Sequence, residues 1–118
     1  MSYVQGFLIP VPIKSKDAYR DLAAQSAPIF QEYGATRIVE TWSETTPDGK
    51  VTDFKRAVKA EAGEAVVFSW IEWPDKETCE AAAKRMENDP RWKDMAEMPF
   101  DGKRMIWAGF DPIFEVES

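Results

Sequence analysis

Two short stretches of this chain set an acid and a base beside an aromatic ring, a combination that can grip a polar ligand or move a proton. In Thr52-Asp53-Phe54-Lys55-Arg56-Ala57-Val58 these are Asp53, Lys55 and Arg56, and in Met98-Pro99-Phe100-Asp101-Gly102-Lys103-Arg104-Met105 they are Asp101, Lys103 and Arg104. The planar fork of an arginine holds the charged end of a ligand, and an aspartate withdrawn from water can act as a base. Asp53 and Asp101 are therefore the candidate catalytic carboxylates. The same residues also have plain structural employment, since Asp53 can cap a helical turn, Asp101-Gly102 can make a turn, and the basic residues can brace both. Trp42, Trp70, Trp73, Trp92 and Trp107 supply core and interface area first and cavity walls second. Phe68, Trp70 and Trp107 as walls, with Arg104, Asp53 and Arg56 as polar anchors, form the candidate ligand-binding set.

The residue types that are missing narrow the chemistry further. There is no histidine, so no Ser-His-Asp or Cys-His unit and no imidazole metal ligand can form. No Walker-type glycine loop and no G-x-G-x-x-G follows a strand, which leaves nucleotide chemistry without support. Cys79 is the only cysteine; it can make no internal disulfide, fits a reducing compartment, and falls among alanines where a buried, inert thiol is the ordinary outcome. We expect no metal and no cofactor. A formal charge of -6 repels nucleic acid and anionic lipid, the first residues carry no basic-then-apolar leader, and no stretch approaches a membrane span. The expectation is a cytoplasmic protein with neither nucleic acid nor membrane as partner.

These residues need a scaffold, and 118 residues, 44% of them apolar, suffice for one domain spanning 1–118. Tyr3 to Val11 reads as a strand closed by Pro10 and Pro12. Ser15 or Asp17 then caps a helix carrying Tyr19, Leu22, Ala23, Ser26, Phe30 and Tyr33 to a stop at Gly34, with Pro28 expected to bend or split it. Ala35 to Ser43 is a second strand, followed by a Thr46-Pro47-Asp48-Gly49 turn and an excursion with one helical turn near Thr52 to Val58. Ala65 to Trp73 is a third strand. Asp75 caps a second helix with Cys79, Ala82, Ala83 and Met86 on one face, and Asp89-Pro90 starts a short segment bearing Trp92 and Met95. A last strand runs from about Arg104 to Phe110, with an extension toward Val116 beyond Pro112. The order β-α-β-β-α-β predicts an α+β, ferredoxin-like fold: one four-stranded antiparallel sheet with both helices on one face.

Strands covered on one side only should alternate between apolar and polar residues, and these do not. Tyr3, Phe7, Ile9 and Val11 oppose Val4 and Leu8, while Phe68 and Trp70 oppose Val67, Ile71 and Trp73. Two helices cover one face, so the other predicts a second copy packed sheet to sheet in a homodimer. A monomer with a large ligand cleft on that face is the rival.

The Thr52 to Val58 motif, Val66-Val67-Phe68-Ser69-Trp70-Ile71, and above all Met98 to Ile106 resemble the YbaA-like family of uncharacterised bacterial proteins, which carries a domain of unknown function. The likeness covers nearly the whole chain. It implies a dimeric α+β barrel, a group that includes cofactor-free oxygenases, haem-degrading enzymes and small-molecule binders with a pocket between helices and sheet. Haem degradation through a histidine axial ligand has no counterpart here. Two functional expectations follow. The first is a dimeric protein that binds a small, partly apolar molecule. The alternative is a cofactor-independent oxygenase or isomerase in which Asp53 or Asp101 removes a proton and Arg56 or Arg104 steadies the anion. An RNA-associated role ranks below both, because an aromatic sheet platform needs a basic stripe that this chain lacks.

Overall fold

In the computed structural model, which describes residues 2–95 and 97–118, strand β1 (Tyr3–Pro12) lies inside a four-stranded sheet. Helix α1 (Lys16–Tyr33), strand β2 (Arg37–Ser43), the short helix α2 (Phe54–Ala57), strand β3 (Glu64–Trp73), helix α3 (Lys76–Asn88) and strand β4 (Ile106–Phe110) follow. All pairings are antiparallel and the spatial order is β2-β3-β1-β4.

The helix boundaries follow from local chemistry. Asp75 has extended backbone, and its carboxylate accepts from the Thr78 N–H at 2.7 Å and the Thr78 hydroxyl at 2.6 Å, satisfying donors that the first turn of α3 leaves free. Gly34, at φ 118°, ends α1 in the left-handed conformation that a glycine adopts without strain. Of the two outcomes expected at Pro28, a bend or a split, the split does not occur: α1 runs unbroken from Lys16 to Tyr33. The missing N–H of Pro28 weakens one turn, but Tyr19 lies buried before it and Ile29 and Tyr33 after it, so tertiary packing holds both halves in one helix.

The C-terminal expectation also needs correcting. Arg104 lies in a 3-10 turn (Gly102–Arg104), β4 begins at Ile106, and no strand forms beyond Phe110. The turn is held because the Arg104 guanidinium bonds the Glu64 carboxylate at 2.7 and 2.8 Å, Asp101 at 3.1 Å and the Lys59 carbonyl at 2.9 Å.

Register assigns the faces. Phe7, Ile9, Ile38, Glu40, Val67, Ser69, Ile71 and Trp107 share the helix-covered side, while Leu8, Val39, Phe68, Trp70, Ile106 and Phe110 share the other. Both faces are thus largely apolar. Under the helices the core divides in two: Ile29, Tyr33, Ile71, Trp73, Cys79 and Ala82 form one cluster, and Ile9, Val11, Tyr19 and Val67 form the other. Phe7 packs against both.

Trp73→Ala is expected to lower unfolding stability by about 3–5 kcal/mol in urea titration, because the indole is 1% exposed. Ile113→Ala, at a side chain 99% exposed, should stay within about 0.5 kcal/mol of the parent. Equal effects would contradict this division of core from tail.

Candidate functional site

Where the two core clusters part, the helices leave the sheet uncovered and a cavity of about 340 Å³ remains. Phe7, Ile9 and Ile71 form its floor, Leu22, Ser26 and Phe30 of α1 its roof, and Trp92 and Phe100 its ends. Met86, Met95, Met98 and Met105 complete the lining. Thioethers on unbranched stems adapt to differently shaped apolar guests, and these four side chains carry them. An adjoining cleft of about 560 Å³ shares Phe7, Phe30, Ile71, Met86, Trp92 and Met105 and extends to Cys79, Trp73 and Trp107.

Two polar braces hold the walls. Trp92 packs at a tilt against Phe30, 5.1 Å between ring centroids, and donates its indole N–H to the Tyr33 hydroxyl at 3.0 Å. Tyr33 in turn donates to Asp89 at 2.6 Å. Bonds from Arg91 first, and from Tyr33 second, pull the Asp89 carboxyl far below the usual range, and Arg91 reaches on to Glu32. On the other side, the Arg104 brace fixes the segment carrying Phe100 and Met105. Its guanidinium lowers the Glu64 carboxyl.

One polar group enters this apolar space. The Tyr19 hydroxyl donates to Glu40 Oε1 at 2.7 Å, and the buried Ser69 stands opposite Glu40 in the β2–β3 register. Tyr19 and Glu40 are the only ionisable side chains among the described lining residues. Burial pushes the Glu40 carboxyl above its ordinary value, against the hydrogen bonds from Tyr19 and Ser69 that favour the anion. Glu40 sits on the edge strand and stays open to solvent on its outer side, which moderates that push. Burial, and then the charge of Glu40, drive the Tyr19 phenol far upward, so it serves as a donor throughout the physiological range. Outside lies a groove of about 410 Å³ lined by Lys16, Asp17 and Arg20; Tyr19, Ala23 and Glu40 border both spaces.

The residues singled out from sequence fall elsewhere, in several places. Asp53 caps α2 through the Arg56 N–H at 2.8 Å and accepts from the Gly49 N–H at 3.1 Å. These bonds hold its carboxyl below the ordinary value, and Arg56 spends its guanidinium on the carbonyls of Gly49 and Val51. Asp101 caps its own turn through the Lys103 N–H and is likewise lowered. Neither aspartate lines the cavity, and neither has the raised affinity for a proton that a base requires. Asp53 and Asp101 cap their own turns, with Arg56 and Arg104 paired to them. Phe68 and Trp70 stack at 5.6 Å on the open face, while Trp107 borders the helix-side cleft, so the sheet separates this expected trio.

Tyr19, Glu40, Ser69 and the methionines were missed. A signal was present: Glu40 interrupts Ile38 and Trp42, and Ser69 interrupts Val67 and Ile71, each at a core-facing position.

A four-stranded antiparallel sheet in this order, with two helices on one face, defines a ferredoxin-like α+β fold. The chain belongs to the family described as "Protein of unknown function (DUF1428)", whose model matches residues 2–102. It is 60% identical over 116 residues to the uncharacterized protein YbaA of Escherichia coli, covering 98% of this chain and 99% of that protein, and the YbaA of Shigella flexneri matches equally. Among solved structures it is similar to a MhuD variant with two manganese protoporphyrin IX molecules bound per active site, at TM-score 0.63 and 17% identity over 98% of this chain and 99% of that one. An uncharacterized NIPSNAP domain protein from Burkholderia xenovorans gives TM-score 0.53 at 13% identity, covering 98% and 99%. Rv0793 from Mycobacterium tuberculosis gives 0.51 at 12%, covering 99% and 100%. Likeness at such identities concerns the fold.

A raised Glu40 fixes the sign of a pH effect. Stability linked to this group is fully present below its unfolded value of 4.5 and falls away as pH climbs through the folded value. Glu40→Gln removes the penalty while keeping an acceptor for Tyr19. Its melting temperature relative to the parent should rise between pH 4 and pH 8, and a relative fall over that window would contradict the placement.

Proposed function

We propose that the protein is a homodimeric, cytoplasmic receptor for a small, largely apolar molecule that carries one hydrogen-bonding group. The observation that carries this reading is an apolar cavity at the lower end of the size range of ligand sites, with a single polar focus at Tyr19, Glu40 and Ser69. Trp107, 63% exposed, stands at the rim of the adjoining cleft. MhuD holds porphyrin within the same fold, which supports a ligand between helices and sheet. The donor set here differs: there is no histidine, and the Tyr19 phenol is engaged by Glu40, so we read the cavity for a smaller, metal-free guest.

Dimerisation explains the open face. Phe68 is 47% exposed, Ile106 46% and Phe110 57%, a continuous apolar surface with Phe54 stacked on Phe68 at 6.3 Å. Packed against its twin, it would leave the helix-side cavities free. The formal charge of -6 gives no footing to nucleic acid on that surface.

N-phenyl-1-naphthylamine, an uncharged apolar fluorophore, should brighten on binding with a Kd of order micromolar. Ala27→Phe, which places a ring in the cavity, should weaken that binding about tenfold or more. Undiminished binding in this variant would move the ligand elsewhere, and no binding in the parent would sink the reading. In sedimentation velocity the parent should run at twice the 13.5 kDa chain mass and Phe68→Arg at the single mass; a parent at 13.5 kDa under micromolar conditions contradicts the dimer.

A further inference from the structure

A receptor needs only a hydrogen-bonding group at the polar end of its cavity, and this chain has more. A carboxyl and a phenol meet at 2.7 Å in a space otherwise walled by apolar side chains, with a hydroxyl beside them. The phenol is a donor and the carboxylate an acceptor, and each has the other as its partner while the cavity is empty of guest. Those are the two functions required to move a proton from carbon: a base at the C–H and a donor at the neighbouring oxygen.

We propose that Glu40 and Tyr19 form a proton-transfer pair acting on an enolisable carbonyl compound whose apolar body occupies the inner cavity. The inference rests on the receptor reading and deepens it. The substrate carbonyl oxygen takes the Tyr19 O–H, displacing its bond to Glu40. The freed Glu40 carboxylate removes a proton from the carbon adjacent to the carbonyl. The C–H electron pair becomes a C=C bond, the carbonyl π pair moves onto oxygen, and the Tyr19 donor steadies the resulting enolate. Glu40, now a carboxylic acid, returns the proton to the same carbon or, in a conjugated substrate, to the far end of the double-bond system. Nothing is oxidised or reduced, and no co-reactant is consumed.

The surroundings suit both roles. Partial desolvation raises the proton affinity of Glu40 although it keeps contact with solvent, and burial keeps Tyr19 protonated as a donor. Ser69 is the polar neighbour from β3, and no charged residue faces the pair from β1 or α3 among the described cavity lining. The charged groups that flank Glu40 are Lys16, Asp17 and Arg20 of α1, and they lie on its outer side. That outer groove gives the carboxyl a route to exchange its proton with solvent while the apolar body stays enclosed.

The probe is 2-tetralone, an apolar bicyclic ketone with acidic protons beside its carbonyl. Exchange of those protons for deuterium in heavy water is followed by proton NMR, and binding is followed separately by quenching of tryptophan fluorescence. The parent protein should accelerate exchange above the buffer rate. Measured at saturating ketone, Glu40→Gln should lose about 100-fold of that acceleration and Tyr19→Phe about 10-fold. Acceleration should rise with pH as Glu40 ionises, and the residue of it left in Glu40→Gln should show no such rise. Binding without acceleration, or acceleration unchanged in Glu40→Gln, overturns the proton-transfer pair and leaves the receptor standing. Failure of the parent to bind the ketone at all overturns both.

Discussion

A carboxyl on the core side of a sheet must be hydrogen-bonded, neutralised or left access to water, and Glu40 meets that constraint in a way that shapes its surroundings. Its position on the β2 edge supplies the access. Tyr19, from the first turns of α1, supplies the hydrogen bond, and Ser69 sits across the strand pair where a larger apolar residue would otherwise fill the floor. With those places committed to polar groups, the two core clusters cannot merge into one. The gap between them is the cavity.

The cavity persists because its walls are pinned from outside. Tyr33, Asp89 and Arg91 hold Trp92 against Phe30 at one end, and Arg104 with Glu64 and Asp101 holds the Phe100 to Met105 segment at the other. The Arg91–Glu32 pair is about half exposed and fixes geometry more than it adds stability, while Arg104 and Glu64 are largely shielded from solvent. Between the braces the lining is soft, because Met86, Met95, Met98 and Met105 can each change rotamer to follow a guest. A rigid frame around an adaptable interior suits recognition of shape and apolar area, with specificity left to the polar end.

Much of the fold was legible in the sequence, since strand and helix periods, the Asp75 cap and the Gly34 stop all act through local rules. The apolar character of both sheet faces was readable for the same reason. Pro28 left a bend or a split open because propensity counts one lost hydrogen bond and cannot see Ile29 and Tyr33 packed beyond it. Acid-base motifs look alike in sequence whether they serve ligands or turns; the Gly49, Arg56 and Lys103 N–H groups show Asp53 and Asp101 engaged with their own turns. Glu40 and Ser69 were out of reach one strand at a time. Each reads as a single polar break, and their meaning appears when the β2–β3 register sets them opposite one another and α1 brings Tyr19 across.

Native mass spectrometry of the protein purified from its own host tests the central claim most directly, because it weighs the assembly and any retained guest together. The account predicts a dimer carrying a reproducible small-molecule mass that Ala27→Phe no longer retains. A guest retained equally by Ala27→Phe, or a bare single chain that also fails to take up added apolar ligand, would contradict it.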